Sequence, residues 1–218
     1  MFKILNWNIN NNIGLLEINN PPSNPMDSVF FEEFYWWRTE TVEKEIKNLK
    51  AVVICGSGRH FSSGAVLNDL MKIISNSYHQ NGDVKKIAEF LNHNSQIFYS
   101  LKDLSIPVVA AVRGVCLGSA FELAMCADYI ICGEKAVLGL PESTFGLMPG
   151  CTGSFVLPNK VSKAIALELM LTGRTFSPSE AMQWGIIQKI TPSKEVLKEA
   201  MVVAEKLALN FTKEFKLI

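Results

Sequence analysis

Hydrophobic positions along the chain fall into two patterns. Short apolar runs bounded by Gly, Asn or Pro predict strands. Longer stretches with apolar residues three and four apart predict helices. "ILNWNI" and "IGLLEI" alternate around "NNN", which predicts a β-hairpin. The turn residues of "NNPPSNP" (19–25) make a loop. Asp27 and Ser28 are placed to cap a long amphipathic helix through "FFEEFYWWRTETVEKEIKNL", with Trp36 and Trp37 divided between rim and core. "KAVVIC" (50–55), "VVAAV" (108–112) and "YIICG" (129–133) read as buried strands. Between them, helices are expected from about Leu67, from Asp83 through "KKIAEFLNHNSQIFYSL", and around Glu122.

The second half carries sharper end signals. "KVSKAIALELMLTG" reads as a helix ending at Gly173. "SPSEAMQWG" has Ser177 as N-cap, Pro178 in the first turn, Glu180 at capping-box spacing and Gly185 as stop. "IIQKI" is a short strand and "SKEVLKEAMVVAEKLAL" a final helix. Its apolar positions 196, 197, 200, 203, 204 and 207 form a stripe that either faces an interface or meets a second stripe on "AIALELML". Strands alternate with helices, so the fold class is α/β, in one domain. Twice a buried strand runs into a Gly-rich loop that opens a helix. Periodicity alone reveals no repeat.

Composition narrows the function classes. Of 218 residues, 48% are hydrophobic and 19% charged, enough to bury a sizeable core. Lys and Arg number 21 and Asp and Glu number 21, a balance that gives no footprint for nucleic acid or an anionic membrane. The apolar runs are too short to span a bilayer. "MFKILNWNINNN" has neither signal-peptide nor transit-peptide character, so a cytoplasmic location is expected. Cys55, Cys116, Cys126, Cys132 and Cys151 show no C-x-x-C spacing and read as reduced, buried thiols. His60, His79 and His93 form no ligand pattern, so no metal site is expected.

Three stretches can carry chemistry. In "CGSGRHFSSGA" (55–65) Phe61 stands where a dinucleotide fingerprint needs its third glycine. Gly64 can instead turn the chain so that the Ala65 amide points outward, or it is an ordinary glycine turn. In "GVCLGSAFEL" (114–123) the small residues Gly118, Ser119 and Ala120 let a ligand approach the backbone, and Glu122 lies one turn further on. The bland alternative is a buried Glu122 paired with a basic or capping residue. In "VLGLPESTFGLMPG" (137–150) Glu142 follows Pro141, and the alternative is a solvated loop carboxylate. Together the three offer two amides to stabilise an enolate oxygen and two carboxylates to hold water and move protons.

These motifs resemble the crotonase superfamily, the enoyl-CoA hydratase/isomerase family. The resemblance runs from "IGLLEINNPPSNPM" to "GIIQKI" and is carried by "GRHFSSGAVLNDL", "IPVVAAVRGVCLGSAFELAMCADYIIC", "LPESTFGLMPGCTGS" and "KAIALELMLTGRTFSPSEAMQWGII". It implies a crotonase-like spiral of ββα units over 1–192, with 193–218 beginning a shortened C-terminal helical region. It implies an oxyanion hole from the amides of Ala65 and Ser119, with Glu122 and Glu142 as the catalytic pair. Substrate and coenzyme A contacts are implied at Met26, Ser63, Gly64, Ala65, Val66, Leu67, Leu117, Gly118, Ser119, Pro141 and Leu147. The expected reaction is hydration of the 2,3 double bond of an acyl-CoA or acyl-carrier thioester. No cofactor is implied beyond the coenzyme A of the substrate, and a homotrimer or hexamer is expected. Isomerase, decarboxylase or thioester hydrolase chemistry on the same fold stays open, as does a catalytically weak binding or assembly subunit.

The sequence departs from the family pattern at three places. Val66 stands where an Asp is common, and "GSA" replaces a run of three glycines. The chain also stops soon after the helix at 193–209, where relatives continue into helices that cover the site and build the trimer.

Overall fold

The computed structural model describes residues 2–69, 71, 72, 75 and 84–211. Its strands are β1 (Leu5–Asn10), β2 (Ile13–Ile18), β3 (Ala51–Gly56), β4 (Val108–Val112), β5 (Val115–Leu117), β6 (Tyr129–Gly133), β7 (Val137–Gly139), β8 (Thr175–Phe176) and β9 (Lys189–Thr191). Its α-helices are α1 (Ser28–Trp36), α2 (Val42–Glu45), α3 (Val84–Tyr99), α4 (Ser119–Met125), α5 (Gly153–Lys160), α6 (Lys163–Thr172), α7 (Pro178–Gln183) and α8 (Val196–Asn210). Leu67–Asp69 begin a further helical segment. Asp83, the expected start of α3, lies outside the described residues, as does His79.

The main sheet has six strands in the order β1-β2-β3-β4-β6-β9, parallel except for the β1–β2 hairpin. A small sheet has the order β5-β7-β8. Successive chain turns place one strand in each sheet and then a helix. β4, β5 and α4 make one such turn. β3 and Ser62, which bridges to Cys116 of β5, mark the turn before it. This is the expected crotonase-like spiral of an α/β chain.

Burial on both faces explains the unbroken apolar runs of the central strands. Val52, Ile54, Val108, Ala110, Val112 and Ile130 face the large core with Phe30, Phe34, Trp37 and Phe98. Val53, Cys55, Val109, Ala111 and Ile131 face the other way, where Val196, Ala200 and Ala204 of α8 cover them. The stripe on the last helix is therefore spent on the sheet, not on "AIALELML".

Local signals act as the sequence predicts. The Asp27 side chain accepts the Phe30 amide. Trp37 is fully buried while Trp36 is half exposed, and a π turn (Trp37–Thr41) joins α1 to α2. Ser177 and Glu180 form the capping box, and Gly173 ends α6 in the left-handed region. All five cysteines are free and buried. Elsewhere the structure corrects the reading. "IIQKI" yields only β9, because the Ile186 and Ile187 amides both donate to Ala181 O and close the turn after α7. β5 forms within the stretch read as a Gly-rich loop, and β7 and α5 form where the sequence reading named no element. No helix among the described residues is long and apolar enough to cross a membrane.

Candidate active site

Two glycine turns build the donor side. Gly64 has φ +89°, and a methyl group there would lie 2.4 Å from the Leu117 carbonyl oxygen and 3.5 Å from the Ser119 nitrogen. Only a glycine lets the turn after Ser63 press so closely on the end of β5. The loops are stitched by Leu117 N–H donating to Ser62 O (3.3 Å) and by Gly64 N–H donating to Ser62 Oγ (3.1 Å). The Ala65 and Ser119 amides donate to no protein group among the described residues. Two unspent donors on touching turns suit an oxygen that gains negative charge.

Two carboxyls build the acceptor side. Glu122 sits in the apolar run of α4 because its carboxyl caps another helix. Its Oε1 accepts the amides of Cys151 (3.0 Å), Thr152 (2.8 Å) and Gly153 (2.7 Å), at the start of α5. The Glu122 carbonyl accepts the Thr152 hydroxyl at 3.0 Å. Neither a basic residue nor a capping box is its partner. Burial pushes the Glu122 carboxyl up, while the three amides pull the other way by favouring the anion.

Glu142 lies in a 3₁₀ turn (Pro141–Phe145), not in a solvated loop. Its Oε2 is buried and has no hydrogen-bond partner among the described residues. Burial, and then the charge of Glu122, push its carboxyl up to about 7. Gly118 (φ +55°) fixes its place, because a methyl group there would lie 2.9 Å from Glu142 Oε1. The Glu142 carboxyl thus lies against the residue just before Ser119. Burial and both glutamates also hold the Cys151 thiol well above its usual range.

The other candidate positions frame these groups. Ser63 is tied to Ser23 through its amide (2.9 Å) and its hydroxyl (3.2 Å). Met26 is buried and brackets Ala65, donating to Gly64 O and accepting from Val66 N–H. Val66 thus spends its main-chain amide on Met26 O. Leu67 is half-buried at the start of its helix, Leu117 ends β5 and Pro141 opens the 3₁₀ turn. Leu147 returns its amide to Glu142 O at 3.0 Å. The sequence reading missed Cys151, Thr152 and Gly153, whose only signal is the small-residue run "GCTGS". No cluster among the described residues could hold a metal ion. A separate cleft of about 340 Å³ beside Tyr35, Arg38 and His93 shares no residue with this site, and its Arg38 is already bound to Glu43 and Ser100.

The sequence model of the enoyl-CoA hydratase/isomerase family matches residues 8–218. A probable mitochondrial enoyl-CoA hydratase of Dictyostelium discoideum is 35% identical over 198 residues, covering 90% of this chain and 66% of that protein. A 2,3-dehydroadipyl-CoA hydratase of Escherichia coli is 34% identical over 162 residues, covering 74% of this chain and 59% of that protein. The chain thus spans under two thirds of the length of these curated relatives. The structure of an enoyl-CoA hydratase/isomerase from Xanthobacter autotrophicus superposes with a TM-score of 0.86 at 25% identity, covering 99% of this chain and 78% of that one. Fold and sequence together make the chain a member of the enoyl-CoA hydratase/isomerase family, within the crotonase superfamily.

Proposed function

We propose that the chain is an enoyl-CoA hydratase-type lyase. The observation that carries this reading is the juxtaposition of unspent amides at Ala65 and Ser119 with two charge-coupled carboxyls, one of them against Gly118. The thioester carbonyl accepts both amides, and charge moves onto its oxygen as the β-carbon is attacked. One water lies between the glutamates. Glu122, with one carboxylate oxygen fixed by three amides, takes a proton from that water as the water oxygen bonds to the β-carbon. Glu142, poised near neutrality, gives a proton to the α-carbon as the enolate collapses. The proton on Glu122 returns to Glu142 through solvent, which closes the cycle. The two carboxyls titrate as a pair, so hydration should follow a bell-shaped pH profile with an alkaline limb near 7.

The substrate is a 2-enoyl thioester of coenzyme A or of a carrier. Assembly as a trimer or hexamer is supported by exposed Phe145, Met148, Leu167 and Leu171, and sedimentation velocity at micromolar concentration tests it. The test of function is loss of enoyl absorbance from crotonyl-CoA and longer 2-enoyl-CoA thioesters. Hydration of at least one supports the reading. Tight coenzyme A binding with no turnover of any would favour a binding subunit instead.

A further inference from the structure

The two unspent amides are 54 positions apart in sequence, yet one residue touches the mounts of both. Met26 is fully buried at the end of the 19–25 loop. Its amide donates to Gly64 O at 2.9 Å, and its carbonyl accepts Val66 N–H at 3.1 Å. Those two bonds flank Ala65 and hold its peptide in place while leaving its own amide free. The Met26 side chain reaches the other mount, where Sδ accepts the Ser119 hydroxyl at 3.5 Å.

Met26 is itself firmly seated. Asn24, buried with φ +52°, donates its side-chain amide to Ser57 O (2.9 Å), His60 O (2.9 Å) and Phe61 O (3.3 Å). The loop is therefore fixed to the 57–61 segment before it reaches Ala65. A serine in the first turn of a helix commonly turns its hydroxyl back onto its own backbone. Here the hydroxyl is directed across to a sulfur on another loop, a link that a glycine at this position would lack.

We propose that Met26 is a positioning residue that sets the aim of both amides, with its main chain on Ala65 and with its sulfur on Ser119. This rests on the reading of those amides as donors to a thioester carbonyl. Misaiming a reacting group by a fraction of an ångström costs less than losing a donor, so an effect of about 10-fold on kcat is expected.

The test uses Met26→Leu, Ser119→Ala, Ser119→Thr and the Leu–Ala double variant. Met26→Leu keeps the bulk and the main-chain bonds but removes the sulfur acceptor. Two readouts are taken: kcat and KM for crotonyl-CoA, and the isotope-edited infrared carbonyl band of bound butyryl-CoA labelled with ¹³C at its carbonyl. Butyryl-CoA has no double bond to hydrate, so the band reports carbonyl polarisation without turnover. In the wild type the bound band should fall below that of free butyryl-CoA. Both single variants should move it back toward the free value and lower kcat about 10-fold with little change in KM. The double variant should be no worse than either single one, since both cut the same link. Ser119→Thr, which restores the hydroxyl, should recover part of the loss, and Met26→Ile, which also lacks the sulfur, replaces Met26→Leu in the test if that variant does not fold.

The proposal is overturned if both single variants keep the wild-type band and rate. It is also overturned if Ser119→Ala shifts the band and Met26→Leu does not, because the hydroxyl would then act on the thioester directly. A wild-type protein that fails to bind butyryl-CoA, or binds it with an unshifted carbonyl, overturns it as well. A wild-type protein that shifts the band but hydrates nothing overturns the hydratase reading and leaves the positioning role standing.

Discussion

Glu122 and Glu142 feel each other's charge, yet their surroundings are opposed. Glu122 is sealed within α4, and one of its oxygens takes three amides at the start of α5. Glu142 rides on a short 3₁₀ turn, with a buried oxygen that no described group satisfies. One carboxyl is built into the frame, and the other is kept available. Burial raises the proton affinity of both carboxyls, but only Glu122 has the amides of three other residues to offset it, and separate roles can follow from that contrast.

The largest expected effect removes the chemistry from either side of this comparison. Glu122→Gln and Glu142→Gln should each lower hydration by about 10²–10⁴-fold, measured as initial rates on crotonyl-CoA. Wild-type turnover in either variant removes that residue from the mechanism.

Truncation to Ala should separate the two by stability. Glu122→Ala leaves three buried amides without their acceptor, and should cost at least about 2 kcal/mol more than Glu122→Gln in urea unfolding. Glu142→Ala has no such amides to strand and should differ little from Glu142→Gln. Equal costs at the two positions would dissolve the contrast between frame and free carboxyl.

The pH dependence of stability should sharpen it. The folded protein holds the Glu142 proton up to about 7, above the ordinary carboxyl range in which the unfolded chain releases it. Between those values the unfolded state binds fewer protons, so wild-type stability falls as pH rises through that window. Glu142→Gln has no proton to lose and should flatten the fall. At pH 8 it should be more stable than wild type by up to about 3 kcal/mol. Parallel stability curves for the two proteins from pH 4 to 8 would show that Glu142 is not held protonated.

A smaller effect is expected at Gly118. Alanine there meets both an unfavourable φ and the Glu142 oxygen, and should cost about 1–3 kcal/mol while displacing that carboxyl. Unchanged melting and unchanged kcat in Gly118→Ala would show that this glycine does not set the position of Glu142.

Much of this frame was legible in the sequence, for physical reasons that differ by element. The central strands announce themselves because burial on two faces demands unbroken apolar runs. The capping box at Ser177 and the stop at Gly173 are side-chain and φ signatures, which survive in the letters. β5 and β7 were not legible, since three-residue strands such as "VCL" and "VLG" owe their pairing to neighbours distant in sequence. The spiral repeat was hidden because its turns share a path in space but not a fixed length. At the site, both glutamates stood out through their motifs. The amides that hold Glu122 did not, because a backbone donor has no residue type. The role of Met26 likewise depends on a contact with Ser119 across the two loops, which only the folded chain reveals.

The central claim is that one water adds across an enoyl thioester beneath these two carboxyls. Proton NMR of crotonyl-CoA incubated with the wild-type protein in D₂O tests it most directly. The account predicts 3-hydroxybutyryl-CoA with a single deuterium at the α-carbon, and almost none with Glu142→Gln. Deuterium in the unhydrated enoyl chain, or release of free coenzyme A, would contradict it and point to isomerisation or thioester hydrolysis.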